Sequence, residues 1–131
     1  MNNYNVSGKI NAKKEAEYQV RQESISFGIN KDQDQLPNPA ELLLGAFAAC
    51  CLKNIERFSK VLKFEYEHAA IEVVGERQEV PTKLTTIKYV IRLKGSNINV
   101  DLLHKNLQKF GTIYNTLNES CSISGEISLE D

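Results

Sequence analysis

Three cysteines, two histidines and one early helical glutamate are the residues of this chain best suited to covalent or acid–base chemistry. Cys50 and Cys51 stand side by side in "AELLLGAFAACCLKNIERFSK", residues 40–60, and Cys121 lies far downstream. A thiolate attacks peroxides and disulfides, so such a pair raises a redox question first. Neighbouring cysteines within a helix do not meet disulfide geometry, so Cys50 and Cys51 are not each other's redox partners. That leaves Cys121 as the only alternative within the chain. His68 and His104 are far apart, with no metal-ligand spacing to any cysteine. Closed zinc sites need four clustered ligands, so neither a metal nor another cofactor is expected.

Unrolling residues 40–62 as a helix at about 100° per residue separates the two thiols. Leu44, Ala48, Cys51, Ile55, Phe58 and Leu62 share one stripe, which makes Cys51 a core residue and an inert small hydrophobe. Cys50 points about a third of a turn away. It stands beside Leu43, Phe47, Asn54 and Arg57, on a face that begins apolar and turns polar. That is an edge thiol, with a downstream cation, Arg57, that favours thiolate. Glu41 has a structural role at hand. Asn38 can cap the helix, Pro39 suits its first position, and Glu41 completes a capping box.

The elements that must position these residues follow from hydrophobic period. "YNVSGKI", "EAEYQV" and "SISFGI" alternate and predict a three-strand meander. "NKDQDQLPN" is a polar loop ahead of the helix, which runs to about Leu62. From His68, "AAIEVVGERQEV" and "TKLTTIKYVIRLKG" predict a strand hairpin, with Ile87, Tyr89, Ile91 and Leu93 in strict alternation. "INVDLLHKNLQKF" predicts a second helix, interrupted by Gly111, with a short helical turn after it. His104 falls on its polar stretch and is given no role; His68, beside "EYE", is read as solvated. "SISGEISLE" closes as a strand. Strands, helix, hairpin, helix and strand make an α+β fold rather than a doubly wound sheet.

The 131 residues predict a single domain, 1–131, large enough for a real core. Apolar content of 41% and charged content of 25% are ordinary for a globular protein. A net charge of −1 gives no electrostatic reason to bind nucleic acid or an anionic membrane. The polar start "MNNYNVSGKINAKKE" predicts no signal peptide, and the apolar run Leu42–Leu52 is too short for a bilayer. An odd cysteine count without CxxC predicts reduced thiols, and a cytoplasmic location is expected.

"NPAELLLGAFAACC" resembles the central-helix motif of the OsmC/Ohr family, proteins of organic-hydroperoxide resistance and their osmotically induced relatives. The family pattern is an Asn/Ser-Pro opening, a Glu-Leu-Leu run, small residues, and a cysteine eleven residues after the proline; Pro39 and Cys50 have that spacing. "GERQEVPTKLTTIKYVIRLKG" and "FGTIYNTLNESCSISGEI" extend the resemblance over most of the chain. It implies an intertwined homodimer with the central helices buried at its heart and active sites at the interface. It also implies a reaction with an organic hydroperoxide and a thiol reductant. A peroxidatic thiolate becomes a sulfenic acid, a second cysteine condenses with it, and a dithiol restores the pair. By position, Cys50 is the peroxidatic residue.

The chain departs from the pattern at three places. Gly111 stands where the family's resolving cysteine begins its motif, and Cys121, ten residues later, is the resolving candidate that remains. Ala40 stands where the peroxidases carry a catalytic glutamate; Glu41, the remaining acidic candidate, is one position on. The catalytic arginine's hairpin reads "NAKKEAE", where Lys13 or Lys14 supplies charge without a bidentate fork; Arg21 is the only arginine before the helix. The expectation is an OsmC-like thiol protein, a Cys50 peroxidase with an atypical or external resolving thiol. The alternative is a non-catalytic dimer that binds a small apolar ligand against Leu43, Phe47 and Cys50, or senses oxidants. A purely structural dimer is the third reading.

Overall fold

A computed structural model describes residues 3–131 and has an α+β architecture of two three-stranded sheets and three helices. The chain forms two compact units, Met1–Leu43 and Leu44–Asp131, and α1 (Pro39–Val61) begins in the first and continues in the second.

In the first unit, β1 (Ser7–Ile10), β2 (Ala16–Val20) and β3 (Glu23–Phe27) form the antiparallel meander that the alternation predicts. Asn11 fixes the first turn, its side-chain oxygen accepting from the backbone N–H of Lys13 and of Glu15. Arg21, with φ of 55°, turns the chain between β2 and β3. The polar loop is held by Gln33. Its side chain accepts from the N–H groups of Ile29 and Asn30 and donates to the Lys14 carbonyl at 2.9 Å. Helix α1 then opens through a reciprocal cap. The Glu41 N–H donates to Asn38 at 2.8 Å and the Asn38 N–H donates to the Glu41 carboxylate at 3.0 Å. Two otherwise orphaned donors are thereby satisfied.

In the second unit, β4 (Glu65–Gln78) and β5 (Lys83–Ser96) form the expected antiparallel hairpin. β4 begins three residues before His68, because Tyr66 pairs with Gly95 and its hydroxyl donates to Glu56 at 2.7 Å. Two helices follow, α2 (Val100–Phe110) and α3 (Thr112–Asn118), and β6 (Ser122–Leu129) returns parallel to β5. Ile87, Tyr89, Ile91 and Leu93 are at most 2% exposed, so period two on β5 marks the core face. That face packs with Phe47, Cys51, Ile55 and Phe58 of α1 and with Leu103, Leu107 and Tyr114. Gly125 lies opposite Tyr89, where an added Cβ would stand 2.5 Å from the ring; the large residue needs its bare neighbour.

Two expectations are corrected here. Phe47, read as part of the Cys50 face, is fully buried and is the core anchor of α1. It lies 5.6 Å from the Tyr89 ring and 5.5 Å from the Tyr114 ring, centroid to centroid, and these aromatic contacts pull it to the Cys51 side. His104 is not a bystander on a polar stretch. It is half-buried and its Nε2 shares a hydrogen bond with the Tyr89 hydroxyl.

Candidate functional site

The site is built where α1 meets the α2–α3 junction. All three cysteines are free thiols. Cys51 sits in the core seam at 2% exposure. Burial, with a smaller effect from adjacent Cys50, pushes its thiol up to about 12, so it stays protonated and unreactive near neutrality. Cys50 is half-buried at the edge of the same helix.

Two residues shape the space around the Cys50 sulfur. Asn54, one turn on, donates its Nδ2 to the Cys50 carbonyl at 3.0 Å and to Cys50 Sγ at 3.7 Å. A carbonyl can only accept, so the amide orientation is fixed by chemistry and its N–H groups face the sulfur. The second residue is Gly111. Its φ of −78° and ψ of 123° are open to any residue, so the chain does not need glycine there for its backbone. What glycine allows is close approach: a Cβ on Gly111 would stand 3.1 Å from Cys50 Sγ and 3.0 Å from the Tyr114 Cβ, tighter than an ordinary packing contact. In a disulfide, each Cβ lies about 3.0 Å from the far sulfur, a distance set by the bond lengths of the bridge. A cysteine at position 111 would thus carry its Cβ at about the distance that a disulfide to Cys50 requires.

Two cations lie against Phe110, the residue before Gly111. The Arg57 guanidinium lies 5.1 Å from the Phe58 ring and 5.7 Å from the Phe110 ring. Lys109 adds a second cation 5.3 Å from Phe110. Phe110 is the residue bonded to Gly111, so the two cations and the Cys50 sulfur flank one dipeptide.

The other candidates are placed elsewhere. Cys121 is buried at the far end of α3, its thiol donating to the Leu84 carbonyl at 3.4 Å. Glu41 belongs to the first unit, where its carboxylate serves the capping box. Lys13, Lys14 and Arg21 also belong to that unit. His68 is exposed and 3.4 Å from Glu130. No cluster of three His, Cys, Asp or Glu residues able to hold a metal occurs among the described residues. Sequence reasoning placed Asn54 beside Cys50 but did not read its amide as a donor to that residue, because a donor one turn from its acceptor looks like any polar helical residue. It also missed Phe110 as a platform for Arg57.

The family model described as OsmC-like protein matches residues 31–126. The chain belongs to this OsmC-like family. Comparison with curated proteins gives no match. Among solved structures it resembles an OsmC-like protein from Mycoplasma pneumoniae, with TM-score 0.89 at 17% identity and 99% of each chain covered. An organic hydroperoxide resistance protein from Elizabethkingia anophelis superposes with TM-score 0.77 at 12% identity, covering 98% of this chain and 99% of its own. That of Bacillus subtilis gives 0.65 at 11% identity, covering 96% and 98%. At such identities the likeness is one of fold, and it extends the OsmC-like architecture to nearly the whole chain. Among the described residues no helix is long and apolar enough to cross a membrane.

Proposed function

We propose that this OsmC-like chain is a thiol-dependent peroxidase of organic hydroperoxides that acts through Cys50, with its resolving thiol supplied from outside the chain. The observation that carries this reading is the half-buried Cys50 sulfur, which faces an amide donor on one side and the side-chain-free Gly111 on the other. Two of the structural relatives are named organic hydroperoxide resistance proteins. The chemistry balances as follows. The Cys50 thiolate attacks one peroxide oxygen, the O–O bond breaks, and the alkoxide leaves as an alcohol after taking a proton. Cys50 is left as the sulfenic acid. A thiol attacks that sulfur, forms a mixed disulfide and releases water; a second thiol then displaces Cys50 and leaves as the oxidised disulfide. One hydroperoxide is reduced for every two thiols oxidised.

The working unit in this reading is a single 1–131 domain in a cytoplasmic, intertwined homodimer, and no cofactor takes part. The test is turnover of cumene hydroperoxide by the purified protein, with 2-mercaptoethanol and separately with dithiothreitol, beside Cys50→Ser and Cys121→Ser. Loss in Cys50→Ser alone supports the proposal. Equal loss in Cys121→Ser makes Cys121 the resolving thiol and removes the external one. Absence of turnover in the parent protein leaves the second reading, a dimer that binds a small apolar ligand or senses oxidants through Cys50. Ala40 at the peroxidases' acidic position and Glu41 committed to a helix cap favour that alternative.

A further inference from the structure

Resting on the Cys50 peroxidase reading, we propose that Asn54 is a second catalytic residue of that reaction, its side-chain amide holding the negative charge of the attacking Cys50 sulfur. Among the described residues, this amide is the one hydrogen-bond partner of Cys50 Sγ, at 3.7 Å. Arg57, the cation that the sequence places downstream of the thiol, rests instead against the Phe58 and Phe110 rings.

The bond to sulfur exceeds what the helix itself needs. A helical asparagine can donate back to the carbonyl four residues earlier, and Asn106 does so to Leu102 at 3.1 Å. Asn54 makes that bond too, to the Cys50 carbonyl at 3.0 Å. An NH2 group carries two hydrogens, so one serves the carbonyl and the other is left for the sulfur. The carbonyl bond also anchors the nitrogen, which keeps its place beside the sulfur whatever charge the sulfur carries.

The bond to sulfur is worth more after the proton has gone. A thiol sulfur is a weak acceptor, and 3.7 Å is a loose contact. A thiolate is a charged acceptor, and charge-assisted hydrogen bonds are shorter and roughly twice as strong. The amide therefore favours the attacking state over the resting one, which is the condition for catalysis. In the step concerned, solvent takes the thiol proton and the sulfur lone pair attacks one peroxide oxygen. The S–O bond forms, the O–O bond breaks, and sulfur gives two electrons to the peroxide. The alkoxide leaves and takes a proton. A held thiolate is also a weaker nucleophile, with a Brønsted slope of about 0.4–0.5. Since that slope is below one, Asn54 adds more thiolate than it costs in reactivity.

The experiment reads the sulfur without hydroperoxide. Iodoacetamide labelling of Cys50 is timed by tandem mass spectrometry between about pH 6 and pH 10.5 in the parent, Asn54→Leu and Asn54→Asp. Leucine keeps the volume and the helix; aspartate keeps the shape but puts an anion in place of the donor. In Asn54→Leu the labelling profile is expected to move about one pH unit upward. Labelling is then about threefold slower at pH 7 and about threefold faster on the alkaline plateau, so the two profiles cross. Asn54→Asp moves the profile at least as far. A residue that only supports the helix would scale the rate equally at every pH.

Profiles that keep the parent's midpoint in both variants overturn the proposal, and turnover of cumene hydroperoxide by the parent then still upholds the peroxidase reading. Crossed profiles support it, together with turnover that falls about threefold at pH 7 in Asn54→Leu. Crossed profiles in a parent without turnover establish the charge-holding amide but sink the peroxidase reading, and the catalytic role with it.

Discussion

Cys50 and Cys51 share a peptide bond and the same helix, yet α1 offers them opposite surroundings. Cys51 is packed among Phe47, Ile55 and the inner face of β5, and burial keeps its thiol protonated. Cys50 stands about 100° round the helix, with an amide donor beside it and the Gly111 backbone packed close against its sulfur. Reactivity is thus assigned by helical phase rather than by residue type. A single step of phase decides which sulfur is buried in the core and which one the proposed peroxidase would use.

The largest expected effect divides the pair outright. Cys50→Ser is expected to lower hydroperoxide turnover by at least about 100-fold, because the hydroxyl is a far weaker nucleophile near neutrality. Cys51→Ser is expected to leave turnover within about twofold but to destabilise the fold by about 1–3 kcal/mol through an added buried hydroxyl. Denaturant melts and a peroxide assay on both variants check this, and the reverse pattern would invert the assignment.

Gly111→Cys sharpens the Cys50 side. Mild oxidation should close a disulfide between Cys50 and the introduced thiol, read as a loss of two hydrogens in intact mass and a linked peptide after digestion. With that bridge available, dithiothreitol should outpace 2-mercaptoethanol as reductant. Absence of the bridge would mean that Gly111 does not lie against the Cys50 sulfur in solution. A smaller effect is expected from Asn54→Ala. Iodoacetamide should label Cys50 about threefold more slowly at pH 7, since a donor to the developing anion is gone. An unchanged rate would reduce Asn54 to a hydrogen bond on the Cys50 carbonyl within the helix.

The smallest effect is a titration on the core side. Burial holds His104 below its ordinary value, opposed by the charge of Asp101, so the folded chain favours the neutral ring beside Tyr89. The unfolded chain binds the extra proton more readily. Stability is therefore complete above about pH 6.5 and declines as pH falls through and below that value. The Tm should drop between pH 7.5 and 5.5, and His104→Gln should shrink that slope; an unaltered slope would place the titration elsewhere.

Much of this contrast is legible in the sequence, because it rests on local period. The strict alternation of Ile87, Tyr89, Ile91 and Leu93 gives the core face of β5, and 100° arithmetic separates Cys51 from Cys50. What escapes is set by partners distant in sequence. Phe47 lies between the two faces of α1, and only the Tyr89 and Tyr114 rings decide its side. His104 has polar neighbours in the chain and a phenol from another strand in space. The parallel return of β6 beside β5 is likewise a long-range choice, marked in the sequence only by Gly125. Gly111 reads as a helix breaker until its ordinary φ removes that reason and its distance to Cys50 supplies another.

The most direct test of the account is one equivalent of cumene hydroperoxide added to reduced protein without any thiol, in the presence of dimedone, followed by peptide mass mapping. A dimedone adduct on Cys50, with Cys51 and Cys121 unmodified and no internal disulfide, is the predicted result. A Cys50–Cys121 disulfide, or a Cys50 left untouched, would contradict it.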